Sequence, residues 1–363
     1  MASEPAILPV GIETEGNTWL HPGAAAFDFR SDTKTCPTRS MLEAVCRASH
    51  GDDVSRSDPT TNDLEAHVAS LTSRDAALFV LSGTMGNQIA LRSLLNQPPH
   101  SVLCDDRSHV FNNEAGSISS LSGALVIPVT ASNGRYMTLE DILKRVDLRS
   151  TVHSCPTRVI CLENTLAGMI MPLSETRRIS AFARSHGIKL HLDGARLWEA
   201  VAARAGTLTE YCSLFDTVSL SFSKGLGAPV GGILVGSYEV IGRARWVRQS
   251  IGGGVRQPGL LTAAARVAID ETFAGGLLAR SHTMAEVVAV HWMKCGGKLK
   301  YPTQTNMVWL DLEGQSFSLT ELTEKGQKDG LLISRDRLVF HYQISDEAVR
   351  KLKSLISNLT SDI

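Results

Sequence analysis

Short apolar runs alternate with stretches of helical spacing through the first two thirds of the chain. Strand-like runs fall at Ala76–Val80 and near 101–104, 124–128, 157–162, 188–192, 216–221 and 230–235, while helical patterns occupy 88–95, 174–186 and 237–248. That alternation predicts a mostly parallel sheet covered by helices on both faces. After Pro258 the spacing becomes helical to about Met293, and then short strands near 306–311 and 331–341 flank a helix at 318–328. The predicted organisation is an N-terminal arm over 1–27, a large domain over 28–258 and a smaller α+β domain over 259–363. The arm has no clear period and carries Pro5, Pro9, Gly11, Gly16 and Pro22. No internal repeat or low-complexity tract interrupts the pattern.

Composition narrows the picture by exclusion. The 363 residues, 43% of them hydrophobic, are enough to bury a large core. A net charge of −1 provides no basic field for nucleic acid. No segment approaches the ~20 apolar residues of a membrane span, and the opening Met1-Ala-Ser-Glu-Pro5 lacks the order of a signal peptide. A cytoplasmic location is the resulting expectation. Seven cysteines without a CxxC pair point to reduced thiols, and no metal site is expected from them.

The chemistry concentrates in Asp216-Thr-Val-Ser-Leu-Ser-Phe-Ser-Lys224-Gly-Leu-Gly227, where a lysine ends an apolar strand just before a glycine turn. An ammonium shielded there loses hydration, which favours the free amine that forms imines, as a pyridoxal phosphate lysine requires. A lysine before a glycine turn is more often a solvated surface group, so its companions decide. Upstream, Gly187-Ile-Lys-Leu-His-Leu-Asp193-Gly-Ala-Arg196 reads as a strand ending in an acid and an arginine. Asp193 suits the protonated pyridine nitrogen of that cofactor, although Asp193 and Arg196 also suit a helix cap and a surface ion pair. Ser82-Gly83-Thr84-Met85-Gly86-Asn87 lies between an apolar run and a helical pattern. Backbone N–H groups and a hydroxyl at a helix start suit a phosphate, and equally an ordinary glycine turn.

Taken in order, these segments resemble the threonine aldolase family of pyridoxal phosphate enzymes from Asp28 to about Ser345. The matching motifs are Asp28-Phe-Arg-Ser31-Asp32-Thr33, Gly51-Asp-Asp-Val54, Ser82–Asn87, Ser108-His109, Glu163-Asn-Thr165, His191–Arg196, Ser223-Lys-Gly-Leu-Gly-Ala-Pro-Val-Gly231 and Gly252-Gly-Gly-Val-Arg256-Gln257. The resemblance implies a fold-type I, aspartate aminotransferase-like α/β domain with a mostly parallel sheet and a smaller α+β C-terminal domain. It also implies a homo-oligomer, dimer or tetramer, with shared active sites and a small amino acid as substrate.

Roles follow from the same resemblance. Lys224 carries the cofactor and shuttles the Cα proton, Asp193 holds the pyridine nitrogen, and His109 stacks on the ring. Gly83, Thr84 and Met85 bind phosphate, with Arg256 reaching it from a neighbouring subunit. Arg196, beside the cofactor, joins Ser31 and Arg337 in binding the substrate carboxylate. Arg335 competes with Arg337, which is preferred because it directly precedes the apolar pair Leu338-Val339.

Four positions depart from the family pattern. Ser55-Arg56 stands where Tyr-Gly is usual, Gln249 where a lysine follows the arginine, Asn113 where an aromatic or histidine precedes Glu114, and Leu166 where many bacterial members have histidine. Yeast-like members share the leucine. Cleavage of a β-hydroxy amino acid needs a base for the hydroxyl proton, whereas racemisation needs only the Cα proton moved between faces. The departures remove candidate bases and leave His109 the principal one, with Lys224 and His109 the catalytic candidates. Racemisation of alanine, L to D, as in the fungal alanine racemase branch, is therefore the expected reaction. Retro-aldol cleavage of L-threonine or L-allo-threonine is the alternative, and a non-catalytic scaffold the remote one.

Overall fold

The computed structural model describes residues 21–361, and the expected arm lies outside the described residues as far as residue 20. Among the described residues the chain divides into two compact units, one built from 21–50 with 222–229 and 259–361, the other from 51–221 with 230–258.

The second unit holds a seven-stranded sheet. Its strands are β1 (Ala76–Val80), β2 (Ser101–Asp105), β3 (Leu125–Val129), β4 (Thr157–Glu163), β5 (Lys189–Gly194), β6 (Thr217–Ser221) and β7 (Gly232–Gly236), in the spatial order β1-β7-β6-β5-β4-β2-β3. Strand β7 runs antiparallel to both neighbours and the other pairings are parallel. Every residue of β2, β6 and β7 is buried. Because side chains alternate between faces, such strands are covered on both sides, which is why they read as continuous apolar runs. Each expected strand of this sheet is present.

Helix Gly83–Leu94 follows β1 directly. Ser82 caps it, its hydroxyl accepting from the Met85 N–H at 3.1 Å. The helix packs tightly on the sheet, since a Cβ on Gly86 would stand 2.5 Å from the Ser219 hydroxyl. Glycine at that position lets the helix start approach the ends of β5 and β6.

The first unit carries a three-stranded antiparallel sheet of β8 (Lys298–Leu299), β9 (Met307–Asp311) and β10 (Arg337–Val339). The strand expected over 331–341 shortens to β10. Its early residues turn instead, with Leu332 bridging Asp28 and Ser334 and Arg335 exposed. The final helix, Asp346–Ser361, buries Leu352, Leu355, Ile356 and Leu359 in the core of this unit with Phe29, Trp292, Leu322 and Phe340. Residues 21–50 belong to this unit, and the Phe29 N–H donates to the Leu332 carbonyl at 2.9 Å.

Trp292 is fully buried, stands edge-on to Phe317 and donates from Nε1 to the Lys298 carbonyl at 2.6 Å. Replacing Trp292 with alanine removes both the packing and the donor. We expect a loss of about 3–5 kcal/mol, measured as a drop in the urea midpoint of unfolding.

Candidate active site

In a parallel sheet, ligands gather at the carboxyl ends of the strands. Asp193 lies there, at the penultimate position of β5, beside Glu163 of β4 and Ser219 of β6. Its carboxylate is buried. One oxygen accepts from the Ala195 N–H at 3.0 Å and the other from the Asn87 amide at 2.8 Å. The first oxygen closes a local turn and not a helix cap, since helix Leu197–Ala202 starts at Arg196 without a side-chain cap, while the second turns toward the helix over the sheet. His191 sits two residues earlier, on the same side of the strand. It lies 3.0 Å from the Asn87 carbonyl oxygen and 2.9 Å from the Thr217 hydroxyl.

The same Asn87 amide nitrogen also donates to Glu114 at 2.9 Å. Glu114 accepts from Gln88 at 2.5 Å and meets Nδ1 of His109 at 2.7 Å. The His109 backbone N–H, opening a short helix, donates to the Glu163 carboxylate at 2.7 Å. His109, Glu114 and Asp193 offer ligand atoms within 4.8 Å of one another, but the Asn87 N–H groups bridge the two carboxylates, filling with a donor the place a cation would take.

Gly83, Thr84 and Met85 form the first turn of their helix. The Met85 N–H is taken by Ser82, leaving Gly83 and Thr84 to present the unpaired N–H groups of a helix start. Met85 lies instead under the triple-glycine loop, its sulfur 2.9 Å from where a Cβ on Gly253 would be. A Cβ on Gly254 would fall 2.1 Å from the Gln249 amide oxygen and 3.3 Å from Val54, so a side chain there would displace Gln249.

Two loops are pinned together nearby. The Asp53 N–H donates to the Arg256 carbonyl at 3.0 Å, and Asp52 pairs with the Arg256 guanidinium at 2.8 Å. Asp53 itself is buried against Arg248 at 2.6 Å, with Arg245 close by and paired to Glu65. Burial pushes the Glu65 carboxyl up despite Arg245. Ser55 lies exposed on the first of these loops and Gln249 exposed in the last turn of helix Tyr238–Ser250, Asn113 is exposed beside Glu114, and Leu166 is buried in the turn that returns at Met169. Arg196 is half-buried at the start of helix Leu197–Ala202.

Lys224, Ser31 and Arg337 belong to the other unit. Strand β6 ends at Ser221, three residues before the lysine, and the chain curls so that Gly227 N–H donates to the Lys224 carbonyl at 2.9 Å. The Thr35 hydroxyl donates to the same carbonyl at 2.9 Å. Lys224 is half-buried. Four residues before Thr35, the Ser31 hydroxyl accepts from Thr33. Arg337 donates to the Arg30 carbonyl at 3.3 Å and stands 5.8 Å from the centre of the Trp309 ring, whereas Arg335 is exposed. Ser31 and Arg337 are therefore neighbours through Arg30.

The donor set of the seven-stranded unit fits pyridoxal phosphate: a buried carboxylate for a ring N–H, an imidazole beside it and unpaired helix-start amides for a phosphate. The comparisons agree. The β-eliminating lyase model matches residues 28–315. An aldolase, vrtJ, from Penicillium aethiopicum is 57% identical over 93% of this chain and 87% of its own length. Alanine racemase TOXG of Cochliobolus carbonum is 44% identical over 96% and 91%, and the low-specificity L-threonine aldolase of Eremothecium gossypii 46% over 92% and 87%. In fold, a threonine aldolase from Leishmania major superposes with a TM-score of 0.79 at 23% identity, covering 92% of this chain and 99% of that one.

The chain belongs to the β-eliminating lyase family and is a threonine aldolase homologue. It is an enzyme of the fold-type I class, and its cofactor is pyridoxal 5′-phosphate. No helix among the described residues is long and apolar enough to cross a membrane.

Asn87, Glu114, Glu163 and His191 were left without roles by the sequence reading. The two-residue spacing of His191 and Asp193 puts them on one strand face and was the available signal.

Burial pushes the His191 imidazole down to about 4. The unfolded chain titrates near the ordinary value of 6.5, so the unfolded state binds the extra proton between these limits. Stability from the neutral ring is full above about 6.5 and is lost as pH falls toward 4, on the order of 3 kcal/mol in all. Denaturant unfolding at pH 7 and pH 4.5 should show this slope, and His191→Gln should flatten it.

Proposed function

We propose that this enzyme cleaves L-threonine and L-allo-threonine to glycine and acetaldehyde. The observation that carries the reading is His109 set against the buried Glu114, because cleavage needs an acceptor for the β-hydroxyl proton. Relatives described as aldolases at 46–57% identity support it. Alanine racemisation, expected from the sequence departures, is supported by a relative of that description at 44% and is the second reading. The loss of candidate bases at Ser55, Asn113, Leu166 and Gln249 counts less once His109 is seen with a carboxylate partner.

Bound pyridoxal phosphate supplies an electron sink for charge developing at the substrate Cα. Asp193 holds a proton at the ring nitrogen, and Gly83 and Thr84 bind phosphate through backbone N–H groups, with Met85 supporting their turn. Lys224 provides the amine that carries the cofactor. Ser31, Arg196 and Arg337 bind the substrate carboxylate, Arg337 stiffened by its stacking on Trp309. His109 accepts the hydroxyl proton as the Cα–Cβ bond breaks.

We place the protein in the cytoplasm as a homo-oligomer, dimer or tetramer, acting on small amino acids. Arg256, 72% exposed and paired with Asp52, suits a reach to a neighbouring subunit's phosphate.

Purified protein supplied with pyridoxal phosphate should form acetaldehyde from L-threonine and L-allo-threonine far faster than it racemises L-alanine. Faster racemisation would overturn the assignment. A Lys224→Ala variant should lose both activities and the visible absorbance of bound cofactor, and retention of either activity would remove Lys224 from its role.

A further inference from the structure

We infer that Glu114 is a positioning residue that fixes His109 in the tautomer with hydrogen on Nδ1, making Nε2 the nitrogen that accepts a proton. The inference deepens the cleavage reading and rests on it for the use to which Nε2 is put.

The tautomer follows from counting donors, beginning at the sheet. His191 is neutral at working pH, so one of its ring nitrogens carries hydrogen and the other a lone pair. The Asn87 amide lies with one end 2.8 Å from Asp193 and 2.9 Å from Glu114, and the other 3.0 Å from Nε2 of His191. Only a nitrogen at the first end satisfies two carboxylates, since an oxygen there would face both. The amide oxygen therefore faces His191, which must donate from Nε2 and accept from the Thr217 hydroxyl at Nδ1. Asn87 is locked in one orientation.

Both hydrogens of the Asn87 amide are then spent, one on each carboxylate. Glu114 has a side chain with 0% exposure and receives Asn87 on Oε1 and Gln88 on Oε2. With N–H donors on both oxygens it accepts at each. The group at 2.7 Å from Oε1 is Nδ1 of His109, which must bring the hydrogen. In the neutral ring the lone pair falls on Nε2. The His109 side chain is 38% exposed, so substrate can reach the ring that its buried partner orients.

The backbone fixes both ends of this pair. His109 is held by Glu163 through its N–H, and its carbonyl accepts from the Asn113 N–H at 2.9 Å. Ala115 and Gly116, at φ 52° and 70°, turn the chain just after Glu114. The proton of a β-hydroxyl would pass to Nε2 as the carbonyl of the leaving aldehyde forms, with Glu114 stabilising the resulting imidazolium without being protonated.

The experiment reads the tautomer directly and separately from turnover. In the full-length protein labelled with ¹⁵N-histidine and held at pH 8, two-dimensional spectra should show His109, assigned by its loss in His109→Gln, with hydrogen on Nδ1. Glu114→Ala should move it toward the Nε2–H form. In Glu114→Gln the tautomer should persist, because the Gln88 oxygen, buried without a partner, can turn to accept from the new amide. For threonine cleavage, Glu114→Ala should lower kcat about 10- to 100-fold with KM little changed, and Glu114→Gln should restore part of that loss. An Nδ1–H tautomer that survives in a folded Glu114→Ala protein overturns the inference. If the tautomer shifts but wild-type protein cleaves no threonine, the positioning role stands and the cleavage reading falls.

Discussion

The amide of Asn87 is the joint on which the chemistry of the seven-stranded unit depends. Asp193 and Glu114 are buried carboxylates brought within a few ångström of each other, and each needs hydrogen-bond donors there. One amide group placed between them gives each an N–H. That group can serve only in one orientation, which His191 enforces from the sheet. A deeply buried histidine is thus part of what orients the amide, and the cost of desolvating the two acids is offset by hydrogen bonds.

The fold around this joint supplies rigidity where the network needs it. Glycine at position 86 lets the helix sit against Ser219, which sets Asn87 at the height of Asp193. Around the glycine loop, the buried Asp53 with Arg245 and Arg248 holds the Asp52–Ser55 segment to the segment that carries Arg256. Loops that would otherwise be mobile are thereby tied to helix Tyr238–Ser250.

The sheet was legible in the sequence because its strands are buried on both faces and appear as short apolar runs. Asp193, the helix-start glycines and Lys224 were legible because each stands where such a run ends. The network was not. Asn87, Glu114 and His191 are polar residues whose partners lie far along the chain, and nothing in local periodicity marks a buried amide as the link between two acids. The two-unit division was equally hidden, because contacts between distant parts of the chain make it: Cys36 and Gln343 bond through backbone and amide groups although 307 positions separate them. The four departures drew attention because they differ from a pattern. Three of them are exposed side chains, whereas His109 and Glu114, the pair proposed for proton transfer, conform to it.

The brief excursion of the chain at residues 222–229 has a consequence for heredity. Strands β6 and β7 pair with each other in one unit, yet the eight residues that join them, Lys224 included, cluster with the other. Neither unit is then a continuous stretch of chain. No single crossover between genes could exchange one unit whole, and a recombinant that kept the sheet while replacing the remainder would have to import the lysine segment as a separate insertion. The segment that carries Lys224 is stitched into a unit other than that of the strands it joins, so it does not travel with either strand as part of one continuous module.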